Sequence, residues 1–157
     1  MIVVTDTSPL CYLVLIGCEE ILPKLYRSIA TTQTVVAELC HADAPPVVRA
    51  WAGKPPAWLM IHPDPTANDP ELTLLHAGER TAFSLAEKLH ADIVILDELA
   101  ARTLAMKRGH EVVGLLGLLA NAADAGLINL NDAIFRLRQT NFRASPALLR
   151  SLLSRGK

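Results

Sequence analysis

The stretch Ile93-Val94-Ile95-Leu96-Asp97 decides the fold class of this chain of 157 residues. Four successive apolar residues, three of them β-branched, are typical of a strand that is buried on both faces, as in a parallel sheet. The N-terminal stretch Ile2-Val3-Val4-Thr5-Asp6 repeats the pattern, with an aspartate directly after the strand. In open α/β sheets the reactive crevice lies beyond the carboxyl ends of the strands. Both aspartates are therefore candidate site residues.

Strands and helices alternate around these two stretches, which predicts an α/β fold: a single domain with a central parallel sheet flanked by helices. The predicted strands are residues 2–5, 28–31, 58–62, 92–96 and 111–113. The predicted helices are residues 7–17, 19–27, from Thr32 or Thr34 to about 41, 47–52, 78–89, 99–108, 115–125, 131–139 and 146–155. Residues 43–70 hold seven of the ten prolines and are predicted to be an irregular insertion within the one domain.

The composition excludes several classes of protein. The net charge of −1 means that the chain as a whole is not a polycation, so nucleic-acid contacts need a local patch. Its cysteines, Cys11, Cys18 and Cys40, form no C-x-x-C pair, which favours buried free thiols in a reducing cytosol over zinc or disulfides. The N-terminus has no basic leader, and the most apolar run, residues 112–123, is shorter than the roughly 20 residues that span a bilayer. These features predict a soluble, cytoplasmic protein with no membrane contact.

Two glutamates join the aspartates as candidates. Glu38 lies in the third predicted helix, and Glu79 lies in the first turn of the helix that begins near residue 78. Taken singly, each acid has a structural explanation as a helix cap, a dipole-stabilised carboxylate or a solvated side chain. Together at one spot they would repel by about 4 kcal/mol per pair at 4 Å and a dielectric near 20, which requires a divalent cation or a shared proton. The combination therefore indicates a metal-dependent enzyme.

Four stretches carry these acids in order along the chain. They are Asp6-Thr7-Ser8-Pro9-Leu10, Val36-Ala37-Glu38-Leu39, Gly78-Glu79-Arg80-Thr81-Ala82 and Leu96-Asp97-Glu98. Together they resemble the ordered acidic motifs of PIN-domain nucleases, which include the VapC-like toxins of bacterial and archaeal toxin–antitoxin pairs. The resemblance runs from residue 2 to about residue 128.

The resemblance implies an endoribonuclease that hydrolyses RNA and leaves a 5′-phosphate. The implied catalytic carboxylates are Asp6, Glu38, Glu79 and Asp97. The implied ligands of one or two Mg²⁺ or Mn²⁺ ions, which would activate the attacking water, are Asp6, Glu79, Asp97 and Glu98. Thr7 and Ser8 would orient a water or a phosphate. The implied partners are an RNA substrate and a cognate antitoxin protein.

Two positions depart from the pattern of the family. Many PIN domains carry a further acid after the next strand, where this chain has Leu115. The second member of an Asp-Asp pair is Glu98, which is one methylene longer. The number of ions is therefore open, and a PIN-fold module that acts through protein binding is the alternative to a nuclease. A phosphoaspartate switch is set aside, because the strand at 111–113 ends in Gly114 rather than in a lysine.

The remaining predictions concern cations and apolar faces. Arg102 lies one helical turn after Glu98 and is predicted to pair with Glu98 or Asp97. Residues 130–157 are predicted to form basic C-terminal helices, with six cations and no acid after residue 135. Arg136, Arg138 and Arg143 are candidate nucleic-acid contacts, and a solvated helical surface explains them equally well. Two apolar helix faces predict a homodimer or a groove for an antitoxin peptide. They are formed by Leu10, Leu13, Val14, Leu115, Leu118 and Leu119.

Overall fold

The core of the protein is a five-stranded, all-parallel sheet. The computed structural model describes residues 1–66, 68–143 and 148–150. The strands are β1 (Val3–Thr5), β2 (Ile29–Thr32), β3 (Leu59–His62), β4 (Ile93–Ile95) and β5 (Val112–Val113). Their order is β3-β2-β1-β4-β5, so the chain builds one half of the sheet outward from β1 and then returns to build the other half from β4. The predicted α/β fold with a central parallel sheet is confirmed.

The strands β1 and β4 lie side by side at the centre of this sheet. Val3–Thr5 pairs in parallel with Ile93–Ile95, and every one of these residues is buried. The backbone N–H of Asp6 donates to the carbonyl oxygen of Ile95 at 3.3 Å. Strand order reverses between these two strands, and ligands of open α/β sheets bind at such a reversal. The acids that follow β1 and β4 therefore lie next to each other at the carboxyl-terminal edge of the sheet.

Eight helices flank the sheet within the described residues. They are α1 (Thr7–Leu15), α2 (Ile21–Tyr26), α3 (Gln33–Leu39), α4 (Pro46–Gly53), α5 (Ala77–Leu89), α6 (Leu99–Lys107), α7 (Leu115–Asp124) and α8 (Leu130–Arg138). The ends of these predicted elements move by no more than two residues, and a 3-10 helix at Pro70–Leu74 was not predicted. The Thr32 hydroxyl accepts a hydrogen bond from the Val35 N–H at 3.2 Å, so Thr32 is the cap of α3. Most of the helix predicted at 146–155 lies outside the described residues.

The proline-rich range 43–70 contributes regular structure to the same sheet. It supplies α4 and the edge strand β3, which pairs with β2 over its full length. The rings of Trp51 and Trp58 lie 6.0 Å apart and pack against the core. Asp64 accepts hydrogen bonds from the backbone N–H and the hydroxyl of Thr34, at 3.0 and 2.5 Å. These contacts fasten the segment to the first turn of α3.

The apolar faces that suggested a partner are covered within the monomer. All six of their residues are buried, because α1 packs against α3, α4 and α7, and α7 packs against α8. The inference of a partner from these faces is therefore wrong. The three cysteines are free as predicted, but only Cys18 is buried, while Cys40 is exposed. Among the described residues, no helix has the length and apolar character to cross a membrane.

Candidate active site

The carboxyl ends of β1 and β4 open into a cleft of about 630 Å³. Six acids line it: Asp6, Glu38, Asp43, Glu79, Asp97 and Glu98. All four predicted catalytic carboxylates are among them, and Thr7 and Ser8 lie beside them. The acids come from separate segments of the chain and meet because parallel strands deliver their C-terminal residues to one edge. The structure therefore brings the four predicted catalytic carboxylates together in one cleft.

Asp6 lies at the bottom of this cleft, directly after β1. Its side chain is only 1% exposed, and its Oδ1 has no hydrogen-bond partner within the described residues. Burial raises the pKa of Asp6 well above its usual range, and the charges of Glu79, Asp97 and Glu38 raise it further. Although Asp6 occupies the N-cap position of α1, its side chain makes no capping hydrogen bond. Helix capping therefore does not explain this acid.

Glu38 is held in the cleft by donors from two other helices. The Thr7 hydroxyl donates a short hydrogen bond to Oε1, and the Gly78 N–H donates to Oε2 at 3.2 Å. A Cβ on Gly78 would overlap Oε1 of Glu38 and would lie 2.6 Å from Oγ1 of Thr7. Only glycine at position 78 leaves room for this carboxylate. The structure thus places Thr7 against Glu38, with its hydroxyl already engaged.

Glu79 lies in the first turn of α5, as predicted. Its Oε1 accepts a hydrogen bond from the backbone N–H of His76 at 3.0 Å. Burial raises the pKa of Glu79, the hydrogen bond from His76 lowers it, and the charge of Glu98 raises it again. His76 itself lines the cleft. Its spacing from Glu79, three residues along the chain, is the sequence signal that could have indicated this position.

Asp97 lies two residues after β4, and its side chain reaches the first residue of α7. Its Oδ1 accepts a hydrogen bond from the backbone N–H of Leu115 at 3.2 Å. Burial raises the pKa of Asp97, while the Leu115 hydrogen bond and the charge of Arg102 lower it. The Leu115 side chain is fully buried, so at the position where many PIN domains have an acid only a backbone donor reaches the cleft. Glu98 is exposed at the cleft.

Arg102 does not make the predicted ion pair. Within the described residues, no hydrogen bond or ion pair joins its guanidinium to Glu98 or to Asp97. Its positive charge acts on Asp97 only at longer range, where it lowers the pKa of that carboxyl. Glu98 is the N-cap of α6 with extended backbone, so its side chain does not follow the helical spacing on which the prediction depended. The guanidinium lies beside Gly114, where an added Cβ would overlap Nη1.

The three tail arginines lie in different places. Arg136 Nη1 donates to the carbonyl oxygen of Ile16 at the end of α1, at 3.0 Å. Arg138 is exposed on α8, and only Arg143 lines the cleft. The segment that carries Arg143 is fastened to α1 by two contacts. The Tyr12 hydroxyl donates to Asn141 Oδ1 at 2.7 Å, and the Tyr12 and Phe142 rings meet edge to face at 5.2 Å.

A family model described as a PIN domain matches residues 2–157 of the chain. The chain belongs to the PIN-domain family. PIN domains are generally nucleases, which hydrolyse phosphodiester bonds in nucleic acids. The acidic cleft at the switch between β1 and β4 is the candidate active site of this PIN domain. Comparison with curated proteins and with solved structures gave no match.

The donor atoms of this PIN domain's cleft suit a hard cation. The acids present carboxylate oxygens, and the buried Oδ1 of Asp6 has no partner among the described residues. Among the residues that the structure describes, no group of three or more histidine, cysteine, aspartate or glutamate side chains is arranged to hold a metal ion directly. Mg²⁺ is usually bound through one or two carboxylates while it keeps several waters. The cleft therefore fits a partly hydrated Mg²⁺ or Mn²⁺ better than it fits a closed site such as that of structural zinc.

Proposed function

We propose that this PIN domain is a metal-dependent endoribonuclease and the toxin of a toxin–antitoxin pair. The observation that supports the nuclease best is the convergence of Asp6, Glu38, Glu79 and Asp97 on one open cleft. Burying like charges next to one another destabilises a fold unless a counter-charge is supplied. A bound divalent cation supplies that charge, and it explains why Oδ1 of Asp6 has no hydrogen-bond partner among the described residues. Structural capping explains neither feature.

The acids divide into those that hold the ion and one that is positioned by the protein. Asp6 and Asp97 are the proposed direct ligands, and Glu79 and Glu98 would hold the ion through waters that it keeps. An Mg²⁺ or Mn²⁺ ion bound there would neutralise charge on the phosphate and lower the pKa of a bound water. Glu38 faces the same cleft with its orientation set by Thr7 and Gly78.

The proposed reaction is hydrolysis of an internal phosphodiester of single-stranded RNA. The oxygen of water joins the phosphorus as the bond between phosphorus and O3′ breaks. The leaving O3′ takes a proton, so the products carry a 5′-phosphate and a 3′-hydroxyl. The cleft is open to solvent and has Arg143 as a cation in its lining, which suits an anionic strand that enters from outside.

The nuclease is tested by incubating the purified protein with labelled RNA in Mg²⁺ or Mn²⁺. Parallel reactions contain EDTA, the Asp6→Asn variant and the Asp132→Asn variant. Asp132 is exposed on α8 and does not line the cleft, so Asp132→Asn makes the same chemical change at a remote site. We expect cleavage by the wild type and by Asp132→Asn only. Cleavage that survives both EDTA and Asp6→Asn would contradict the proposal.

The toxin role has a separate test in cells. Expression of the wild type should arrest bacterial growth, expression of Asp6→Asn should not, and the product of a short adjoining reading frame should restore growth. Growth arrest by both the wild type and Asp6→Asn would show that toxicity does not depend on the cleft. The predicted homodimer stays a prediction, because the helix faces that suggested it are covered within the monomer.

The second candidate function is a PIN-fold module that acts by binding another protein. The observation in its favour is Leu115, whose side chain is buried where many PIN domains have a further acid. The two candidates differ in the cleavage assay. Absence of RNA cleavage with either metal, together with tight binding of a partner protein, would favour the binding module.

A further inference from the structure

A second groove adjoins the acidic cleft and differs from it in chemistry. This side groove has a volume of about 490 Å³ and is lined by residues that include Arg102, Val113, Leu116, Phe142 and Arg143. It shares Asp97, Phe142 and Arg143 with the cleft. A nucleic-acid strand bound in the cleft could therefore extend along the protein surface into the side groove.

The charges of the two spaces are opposite. Six acids line the cleft, whereas Asp97 is the only acid among the described residues that line the side groove, which also presents Arg102 and Arg143. The Arg102 guanidinium has no ion-pair partner in the described part of the chain, so its charge remains available to an incoming anion. An arginine fork matches the geometry of phosphate oxygens.

Gly114 makes this placement of Arg102 possible. A Cβ at position 114 would overlap Nη1 of Arg102 and would lie 3.4 Å from Oδ1 of Asp97. The guanidinium therefore lies against bare backbone at the boundary between the side groove and the proposed metal ligand. A phosphate bound by Arg102 would be close to the reacting centre.

The other walls of the side groove are largely apolar. Val112, Val113, Leu116 and the ring of Phe142 contribute them. Bases of single-stranded nucleic acid stack on aromatic and apolar surfaces while cations follow the backbone. We infer that the side groove binds the RNA nucleotide next to the scissile phosphodiester, with Arg102 contacting its phosphate and the apolar walls contacting its base. This inference rests on the proposed function and names a positioning residue for it.

The inference is tested by binding rather than by turnover. A short fluorescent single-stranded RNA is titrated with the full chain in EDTA, where the proposed cleavage is suspended, and the dissociation constant is measured at several salt concentrations. The variants are Arg102→Gln, Arg102→Lys and Phe142→Leu. Arg27→Gln is the matched control, because Arg27 is an exposed arginine just before β2, at the opposite edge of the sheet. Thermal unfolding of each variant confirms that it is folded.

We expect Arg102→Gln to weaken binding about threefold to tenfold and to reduce the salt slope by about 0.7, the value for one phosphate contact on a single strand. Arg102→Lys should keep the slope, because it keeps the charge. Phe142→Leu should weaken binding with an unchanged slope, because stacking releases no counterion. Arg27→Gln should match the wild type.

Wild-type affinity and slope in Arg102→Gln would overturn the inference, and so would absence of RNA binding by the wild type. The proposed function fails separately. If the variants behave as expected but no metal supports cleavage, the nuclease proposal is wrong while the RNA-binding groove stands. If the wild type cleaves RNA and Arg102→Gln binds and cleaves as the wild type does, the groove inference alone is wrong.

Discussion

Thr7 and Glu38 are joined by a hydrogen bond from the threonine hydroxyl to Oε1 of the glutamate, although 31 residues separate them in the chain. The other oxygen of Glu38 accepts from the Gly78 N–H. Two other helices, α1 and α5, therefore each contribute one donor atom that fixes the Glu38 carboxylate on α3. A site on rigid elements with its side chains held by hydrogen bonds is the arrangement that catalysis requires.

Gly78→Ala is the substitution that tests this arrangement. The new Cβ would displace the Glu38 carboxylate. A catalytic group misplaced by about 1 Å lowers the reaction rate by about 10–100-fold. Stability should change by no more than about 1–2 kcal/mol, because alanine favours the helix and the carboxylate can swing away. RNA cleavage and urea unfolding measure the two effects. Gly53→Ala is the control, since nothing lies within 4 Å of its added Cβ. Unchanged cleavage by Gly78→Ala would show that the position of Glu38 is immaterial.

Asp6→Asn should abolish most of the activity. The variant keeps the shape of the side chain but removes a full charge from the proposed ion site. A loss of about 3–4 kcal/mol of transition-state stabilisation lowers the rate roughly 10²–10³-fold. Glu98→Gln should cost less, because Glu98 is exposed at the cleft whereas Asp6 is buried. Single-turnover RNA cleavage measures both rates, and a larger loss in Glu98→Gln would reverse the proposed roles.

The stability of the metal-free protein should depend on pH through Asp6. Its pKa in the folded state is raised above the unfolded value, so the protonated carboxyl stabilises the fold at low pH, and this contribution is lost as the pH rises through the folded pKa. The amide introduced by Asp6→Asn does not titrate. The stability of Asp6→Asn relative to the wild type should therefore increase as the pH rises towards neutrality. Urea unfolding in EDTA from about pH 4 to pH 8 measures the difference. A difference in unfolding free energy between the two proteins that does not change with pH would contradict the raised pKa of Asp6.

Divalent metal should stabilise the wild type and not Asp6→Asn. Ligand that binds only the folded state adds about 2.7 kcal/mol at a hundred times its dissociation constant. Mg²⁺ or Mn²⁺ should accordingly raise the Tm of the wild type and of Asp132→Asn in a concentration-dependent manner. The same shift in Asp6→Asn would place the ion outside the cleft. This measurement needs no substrate.

Arg136→Gln should affect stability rather than RNA binding. Its guanidinium donates to the carbonyl oxygen of Ile16 and so satisfies the end of α1. Loss of a hydrogen bond from a charged donor costs about 1–3 kcal/mol. Arg138→Gln, two residues along the same helix and exposed, should leave stability nearly unchanged. A weaker RNA affinity in Arg136→Gln with unchanged stability would restore the nucleic-acid role.

Much of the fold was predictable because its signals are local. The runs Val3–Thr5 and Ile93–Ile95 are short, apolar and followed by acids, and a parallel sheet places such acids at one edge wherever the helices lie. Turn glycines were predictable for the same reason: Gly109 and Gly126 end their helices with positive φ, which few other residues adopt.

The amino-acid sequence by itself determined the strand–helix alternation, the positions of Asp6 and Asp97 at strand ends and the order of the acidic motifs. Only the tertiary structure decided that Glu38 is held by Thr7 and Gly78 and that Arg102 has no ion-pair partner among the described residues. It also decided that the apolar faces of α1 and α7 are covered by neighbouring helices of the monomer. Periodicity and capping depend on neighbours within one or two turns, which the sequence displays directly. The contacts of Glu38 and Arg102 depend instead on how separate helices pack, and side chains from distant parts of the chain meet only after the sheet has formed.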